Sequence, residues 1–178
     1  MFEQECLQIA REIGDQMFTG YALTNLAVAS FMLSDAEVSE RYLQEALALF
    51  ESTGYRMGLQ LCLFYLGTLA CEPGDYATST EHFDRALKVA VDIQAIPEVL
   101  SILIGIADRL VRQGATEEAI QLAAVVLSHP ASYQLTKQGA ENLLAQLRAE
   151  LSPEVVAAAY ERGSARAFEE VVAALLER

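Results

Sequence analysis

Shifting this chain against itself by forty residues brings three segments into ungapped register. Leu26, Leu66 and Ile106 coincide, and beside them Ala27, Gly67 and Ala107. Further along, Ser34 meets Gly74 and Gly114, Ser39 meets Ser79 and Ala119, Leu43 meets Phe83 and Ala123, and Ala46 meets Ala86 and Val126. A period of this length marks stacked supersecondary units, each of which buries its apolar face only against its neighbours.

The residue types show what one unit contains. Positions such as Leu23, Leu26, Leu63, Leu66, Leu103 and Leu110, with Ile106 between the last two, recur at spacings of three, four and seven, so one stripe of a first helix, helix A, faces the core. The small residue after the central Leu or Ile (Ala27, Gly67, Ala107) lets a partner helix approach closely. Ser34-Asp35, Gly74-Asp75 and Gly114-Ala115 end helix A, glycine permitting a left-handed cap. In the following helix B, Leu43 or Phe83 fills the groove between helices, Ala46 or Ala86 allows close approach, and Tyr76 packs at the turn.

The same shift aligns residues 1–14, MFEQECLQIAREIG, with 41–54, RYLQEALALFESTG, so that Cys6 matches Ala46 and Gly14 matches Gly54. The chain thus opens on a helix B without its helix A, and Phe2, Leu7 and Ile9 make that end apolar. This predicts an array cut from a longer one, or an end packed against a partner. Beyond about residue 128 the register fails. A long helix is expected from about Tyr133 to Leu151, then one capped by Ser152 with Pro153 in its first turn and ending at Gly163, then an amphipathic helix from roughly Ala165 to Glu177. The domain expectation is a single helical-repeat domain, 1–178: a half repeat at 1–14, repeats at 15–54, 55–94 and 95–131, and C-terminal capping helices at 132–178.

Composition narrows the function. Twelve Lys plus Arg stand against 25 Asp plus Glu, a formal net charge of −13, and the cations are scattered among acids. Phosphate neutralisation needs clustered cations, so no direct nucleic-acid binding is expected. Apolar runs are too short and too often interrupted for a membrane span. No leader pattern opens the chain, and Cys6, Cys62 and Cys71 lie inside helical patterns, so the expectation is a cytoplasmic protein with reduced, buried thiols.

With these residues in hand, the units resemble tetratricopeptide repeats over residues 1 to about 128, in the longer variety of the maltose-operon activator type. Ala27, Ala107 and Ala123 depart from the commonest Gly and aromatic positions. The resemblance implies an all-α, right-handed superhelix, an α-solenoid of antiparallel helix pairs. The tail is similar to the closing segment of bacterial LuxR-type and switch-ATPase regulators, with an A-[YFW]-x-x-G element standing here as Ala159, Tyr160 and Gly163, followed by Phe168. That likeness implies an ATPase and an output domain outside this chain.

Catalytic and metal patterns are not found. No Gly-rich phosphate loop occurs. Cys62 and Cys71 are nine residues apart on one helix, unlike the tight pairs of zinc sites; His82 and His129 have no neighbours placed for a triad. Glu117-Glu118 and Glu169-Glu170 sit at helix starts, where the macrodipole favours them. The expectation is a non-enzymatic module with no cofactor and no metal. Its binding groove would use the non-core positions of the A helices: Tyr21, Thr24, Asn25, Val28 and Phe31, then Leu61, Phe64, Tyr65 and Thr68, then Ser101, Ile104, Asp108 and Arg112, some of which pack between neighbouring A helices. The places that carry Lys, Arg and Asn in chaperone-tail clamps hold Thr24, Val28, Tyr65, Ser101 and Gly105, so that ligand is not expected. Two roles fit: a protein-interaction and ligand-sensing region of a larger bacterial signalling or transcription regulator, and a free-standing adaptor that self-associates, as a homodimer, through its first helix.

Overall fold

The computed structural model describes residues 2–177, and side chains from residue 4. Ten helices follow one another, with no strand among the described residues: α1 (Phe2–Ile13), α2 (Gln16–Met32), α3 (Ala36–Thr53), α4 (Arg56–Cys71), α5 (Tyr76–Asp92), α6 (Ile96–Arg112), α7 (Thr116–Ser128), α8 (Gln134–Glu150), α9 (Pro153–Ser164) and α10 (Phe168–Leu176). The helices A start at residues 16, 56 and 96 and the helices B at 36, 76 and 116, so the forty-residue period of the sequence is also the period of the fold.

The turns resolve that period into two halves. Left-handed backbone occurs at Gly14, Ser34, Gly54, Gly74, Gln94 and Gly114, one every twenty residues. At each, the next amide reaches back to a carbonyl five residues earlier: Asp15 to Ala10 (3.0 Å), Asp35 to Ser30 (2.9 Å), Tyr55 to Phe50 (3.0 Å), Asp75 to Ala70 (3.0 Å), Ala95 to Ala90 (2.9 Å) and Ala115 to Leu110 (2.9 Å). This is the Schellman closure, which satisfies carbonyls that a helix end otherwise leaves unpaired. Asp15, Asp35 and Asp75 then cap the next helix by accepting from the amides of Phe18, Val38 and Thr78. One turn design therefore serves both A-to-B and B-to-A connections.

The chain falls into two compact units, residues up to Val89 and residues from Ala90. In the first, α1 packs on α2, α2 on α3 and α4, and α3 on α4. Phe50 of α3 is fully buried, and its ring lies where a Cβ on either Gly20 or Gly58 would come within 2.5 Å of it. Two glycines on successive helices A thus make the slot for one phenyl ring. Gly67 does the same for Phe83 of α5, whose ring a Cβ would meet at 2.9 Å. The Gly67 carbonyl also accepts from the Ser79 hydroxyl at 2.8 Å.

In the second unit α6 packs on α7 and α8, α7 on α8 and α9, and α8 on α9. Gly163 closes the α7–α9 contact: a Cβ there would lie 2.5 Å from the Gln121 carbonyl oxygen and 2.9 Å from Ala124. The Ala-Tyr-x-x-Gly element is therefore a helix-crossing device, with Ala159 fully buried beside it. Ser152 caps α9 as its position suggests, accepting from the Val155 amide.

Two expectations are corrected. Leu7 is buried (7% exposed), because it faces α2, so the apolar end of α1 is made by Ile9 and Ile13; the side chain of Phe2 lies outside those described. Cys62 and Cys71 are buried, but Cys6 is only half-buried. No helix among the described residues is long and apolar enough to cross a membrane.

Candidate binding groove

The residues expected to line a groove divide into three groups. Val28 and Phe31 of α2 meet Tyr65 and Thr68 of α4 around a pocket of about 70 Å³, floored by Ser39, Leu43 and Leu69. All four are half-buried. The spacing explains the convergence: Val28 and Phe31 are three apart and Tyr65 and Thr68 are three apart, so each pair projects from one face of its helix. Burial pushes the Tyr65 phenol above its usual range. The Thr68 hydroxyl donates to the Phe64 carbonyl at 3.1 Å, so this polar group at the pocket is satisfied within its own helix.

A second group is packed into or onto the core. Thr24 is 1% exposed, so its place in a groove is a correction. Its hydroxyl donates to the Gly20 carbonyl (2.9 Å) and lies 3.4 Å from the Cys62 sulfur, because the face that follows Gly20 by one turn meets α4. Desolvation pushes the Cys62 thiol up to about 11, against a smaller lowering by the Thr24 hydrogen bond. Tyr21 is half-buried, and its hydroxyl donates to Tyr55 at 3.2 Å, its ring edge-on to Phe50 and Tyr55 at 5.6 and 5.9 Å. Burial first, then the Tyr55 hydrogen bond, pushes its phenol up to about 12. Phe64 meets Tyr65 edge-on (5.3 Å between ring centres) and the buried Phe83 at a tilt (6.0 Å). Leu61 is half-buried, and Asn25 is exposed.

The third group lies in the second unit, where α8 runs beside α6. The Ser101 hydroxyl is 2.8 Å from that of Thr136, and a Cβ on Gly139 would touch Ile104 at 3.4 Å. Ser101 and Ile104 thus serve packing between helices, while Asp108 and Arg112 form an exposed ion pair at 2.9 Å.

Two clefts escaped the sequence reasoning. One, of about 490 Å³, lies beside α8 and α9 near Arg148, Val156, Tyr160 and Glu161. The other, of about 380 Å³, lies between the 94–96 turn and α10, where Val91, Ala95, Ile96 and Val99 face Phe168, Val172 and Leu176. The same register in the first repeat reads Arg11, Asp15, Gln16 and Thr19, so a loss of polarity at one turn out of three is the signal that was available. Of the two histidines, His82 is held below its usual pKa, chiefly by burial. His129 accepts from the Ala131 amide (3.1 Å), its ring 4.8 Å from Phe168. Among the described residues no group of three or more His, Cys, Asp or Glu is placed to hold a metal ion.

These features define an all-α protein of stacked antiparallel helix pairs, in keeping with a tetratricopeptide-like helical repeat. Among curated proteins the chain is similar to response regulator aspartate phosphatase J of Bacillus subtilis (strain 168), at 28% identity over 86 residues. That span is 48% of this chain and 23% of the relative, so the match covers about a quarter of the relative's length. No family model matches the chain, and no solved structure matches it significantly.

Proposed function

We propose that this chain is a non-enzymatic protein-interaction and ligand-sensing module, the helical-repeat regulatory region of a larger bacterial signalling or transcription regulator, working in the cytoplasm. The observation that carries the reading is the convergence of Val28, Phe31, Tyr65 and Thr68 from two successive helices A on one apolar pocket. Its size suits one branched aliphatic side chain, and the half-buried residues around it offer aromatic and methyl surface. That is the chemistry of a partner segment anchored by an apolar residue on a rigid helical scaffold. The relative's name, a phosphatase acting on response regulators, supports work upon another signalling protein, while the activity in that name belongs to a protein of which this chain spans a quarter.

Two measurements test this. Substituting Val28→Lys and Thr68→Lys should abolish capture of a protein partner, while Leu135→Lys, at a site 84% exposed on α8, should leave it intact. Incubated with a phosphorylated response-regulator receiver domain, the chain should leave the rate of phosphate loss unchanged. Acceleration of that rate would replace a binding module by an enzyme. Self-association through α1, the adaptor reading, predicts a mass that grows with concentration.

A further inference from the structure

Repeat two sets two rings side by side at its B-to-A turn: Phe50 of α3 and Tyr55 stand 5.7 Å apart between ring centres. Forty residues on, the same registers carry Ala90 and Ala95. The backbone does not change with the side chain, since Tyr55 (φ −79°, ψ 88°) and Ala95 (φ −85°, ψ 72°) each precede a helix A in nearly one conformation. Both alanines line the cleft of about 380 Å³ between the 94–96 turn and α10. The cleft therefore opens at the positions that hold two rings one repeat earlier. In repeat one the same registers hold Ala10 and Asp15, and Asp15 engages its carboxylate in capping α2.

Both walls of the cleft are in place, and both are apolar. Phe168, Val172 and Leu176 follow one another at a spacing of four, so α10 presents them as one stripe, and Val91, Ile96 and Val99 stand across from it. Val99 and Val172 are buried, whereas Ile96 and Leu176 are 40% and 41% exposed, apolar surface still open to water. A cleft of this volume with such walls has the size and character of a small-molecule site. An aromatic body suits it, because the fold packs rings at these registers. The polar side chains of its lining are the exposed Gln94 and Glu169, so the charge at its edge is negative. A cation borne by the ligand would meet Glu169, and a carboxylate would be repelled.

We propose that this cleft binds a small aromatic molecule carrying an amine, its ring over Ala95 and its ammonium group towards Glu169, at a site separate from the pocket of α2 and α4. The probe is tryptamine on the full chain, followed by the fluorescence anisotropy of its own indole; the chain contains no tryptophan, so the signal is the ligand's. Tryptamine should bind saturably with a Kd below about 1 mM. It should bind at least ~10-fold more tightly than indole-3-acetate, which has the same ring and the opposite charge. Ala95→Tyr, which restores the residue of the preceding repeat, should weaken it at least ~10-fold by filling the cleft. Ala173→Leu, at an exposed position on α10, should weaken it from the opposite wall. Glu169→Gln should narrow the preference over indole-3-acetate to less than ~3-fold, and Val28→Lys should leave binding unchanged. Far-ultraviolet circular dichroism and a melting temperature unchanged or raised separate these effects from unfolding. The proposal is overturned if tryptamine does not bind, if Ala95→Tyr and Ala173→Leu both bind it as the wild type does, if indole-3-acetate binds as tightly, or if Val28→Lys abolishes binding. It is overturned equally if light scattering shows a dimer that Ala95→Tyr dissociates, since the cleft would then be a seam between copies.

Discussion

Arg11 of α1 is ion-paired with Glu45 of α3, and one repeat later the same two registers carry Glu51 and Arg85, joined at 3.0 Å with their charges exchanged. The pair is retained while its polarity is inverted. Consecutive helices B therefore attract, whereas a register that brought Arg11 towards Arg85 would repel. All four side chains are about half exposed, so the pairs add little to stability and more to the order in which like-shaped units stack.

Arg85→Glu should accordingly cost at most about 1 kcal/mol, and the exchange Glu51→Arg with Arg85→Glu should recover most of it. Urea denaturation of the two single variants and the double variant gives the coupling. A double variant no better than the sum of the singles would remove the pair from the account.

The twenty-residue recurrence of left-handed backbone makes a second prediction. Ser34 (φ 62°) and Gln94 (φ 57°) occupy positions that elsewhere hold glycine. A residue with a Cβ costs roughly 1–2 kcal/mol there, and glycine gives back about 0.4–1 kcal/mol through the freer unfolded chain. Ser34→Gly and Gln94→Gly should each therefore stabilise by about 0.5–1 kcal/mol. Gly74→Ala, where no atom lies within 4 Å of a new Cβ, should lose a similar amount through backbone strain alone. Thermal melts of the three variants read out the signs.

Gly163 is sterically different. Its backbone lies against the Gln121 carbonyl, which cannot rotate away, so Gly163→Ala should cost about 1–3 kcal/mol and loosen α9 from α7. Hydrogen exchange should rise in α9 while α2 and α3 keep their protection. At Gly20 the obstacle is the Phe50 ring, and Phe50→Ala should cost about 3–5 kcal/mol by leaving the slot empty.

Much of this was legible in the sequence, and the failures have physical causes. Leu26 with Leu66, and Gly67 opposite Phe83, state the helix pair directly, since only a small residue admits a ring at that crossing. Thr24 misled because a polar residue in a helix A looks exposed; its hydroxyl satisfies itself on the Gly20 carbonyl one turn back and can be buried at little cost. Ser101 and Ile104 depended on α8, whose sequence follows the loss of register and so gave no hint of which A-helix face it would cover. The boundaries of α8 and α10 fell within a few residues of expectation because Tyr133, Leu151 and the final apolar stripe mark them.

Cys62 gives a pH prediction. Burial raises its thiol pKa from the ordinary 9.0 to about 11. An unfolded chain releases this proton first, so the folded state binds more protons between those values. The contribution of Cys62 is thus fully present below about pH 9 and is lost as pH rises towards 11. Tyr21 and Tyr65, also raised by burial, act in the same direction at higher pH. The difference in melting temperature between the wild-type chain and Cys62→Ala should be constant from pH 7 to about 8.5 and shift against the wild type above it. Alkylation near neutral pH should reach the half-buried Cys6 before Cys62.

Site-specific photo-crosslinking in cell extract from the native source, with a photoreactive amino acid placed at Thr68 beside the pocket or at Lys88, exposed on α5, tests whether the pocket holds a partner. A partner held in the apolar pocket predicts a crosslinked species from position 68 that is missing from position 88 and is lost on Val28→Lys. Equal crosslinking from both positions, or crosslinking from 88 alone, would contradict it.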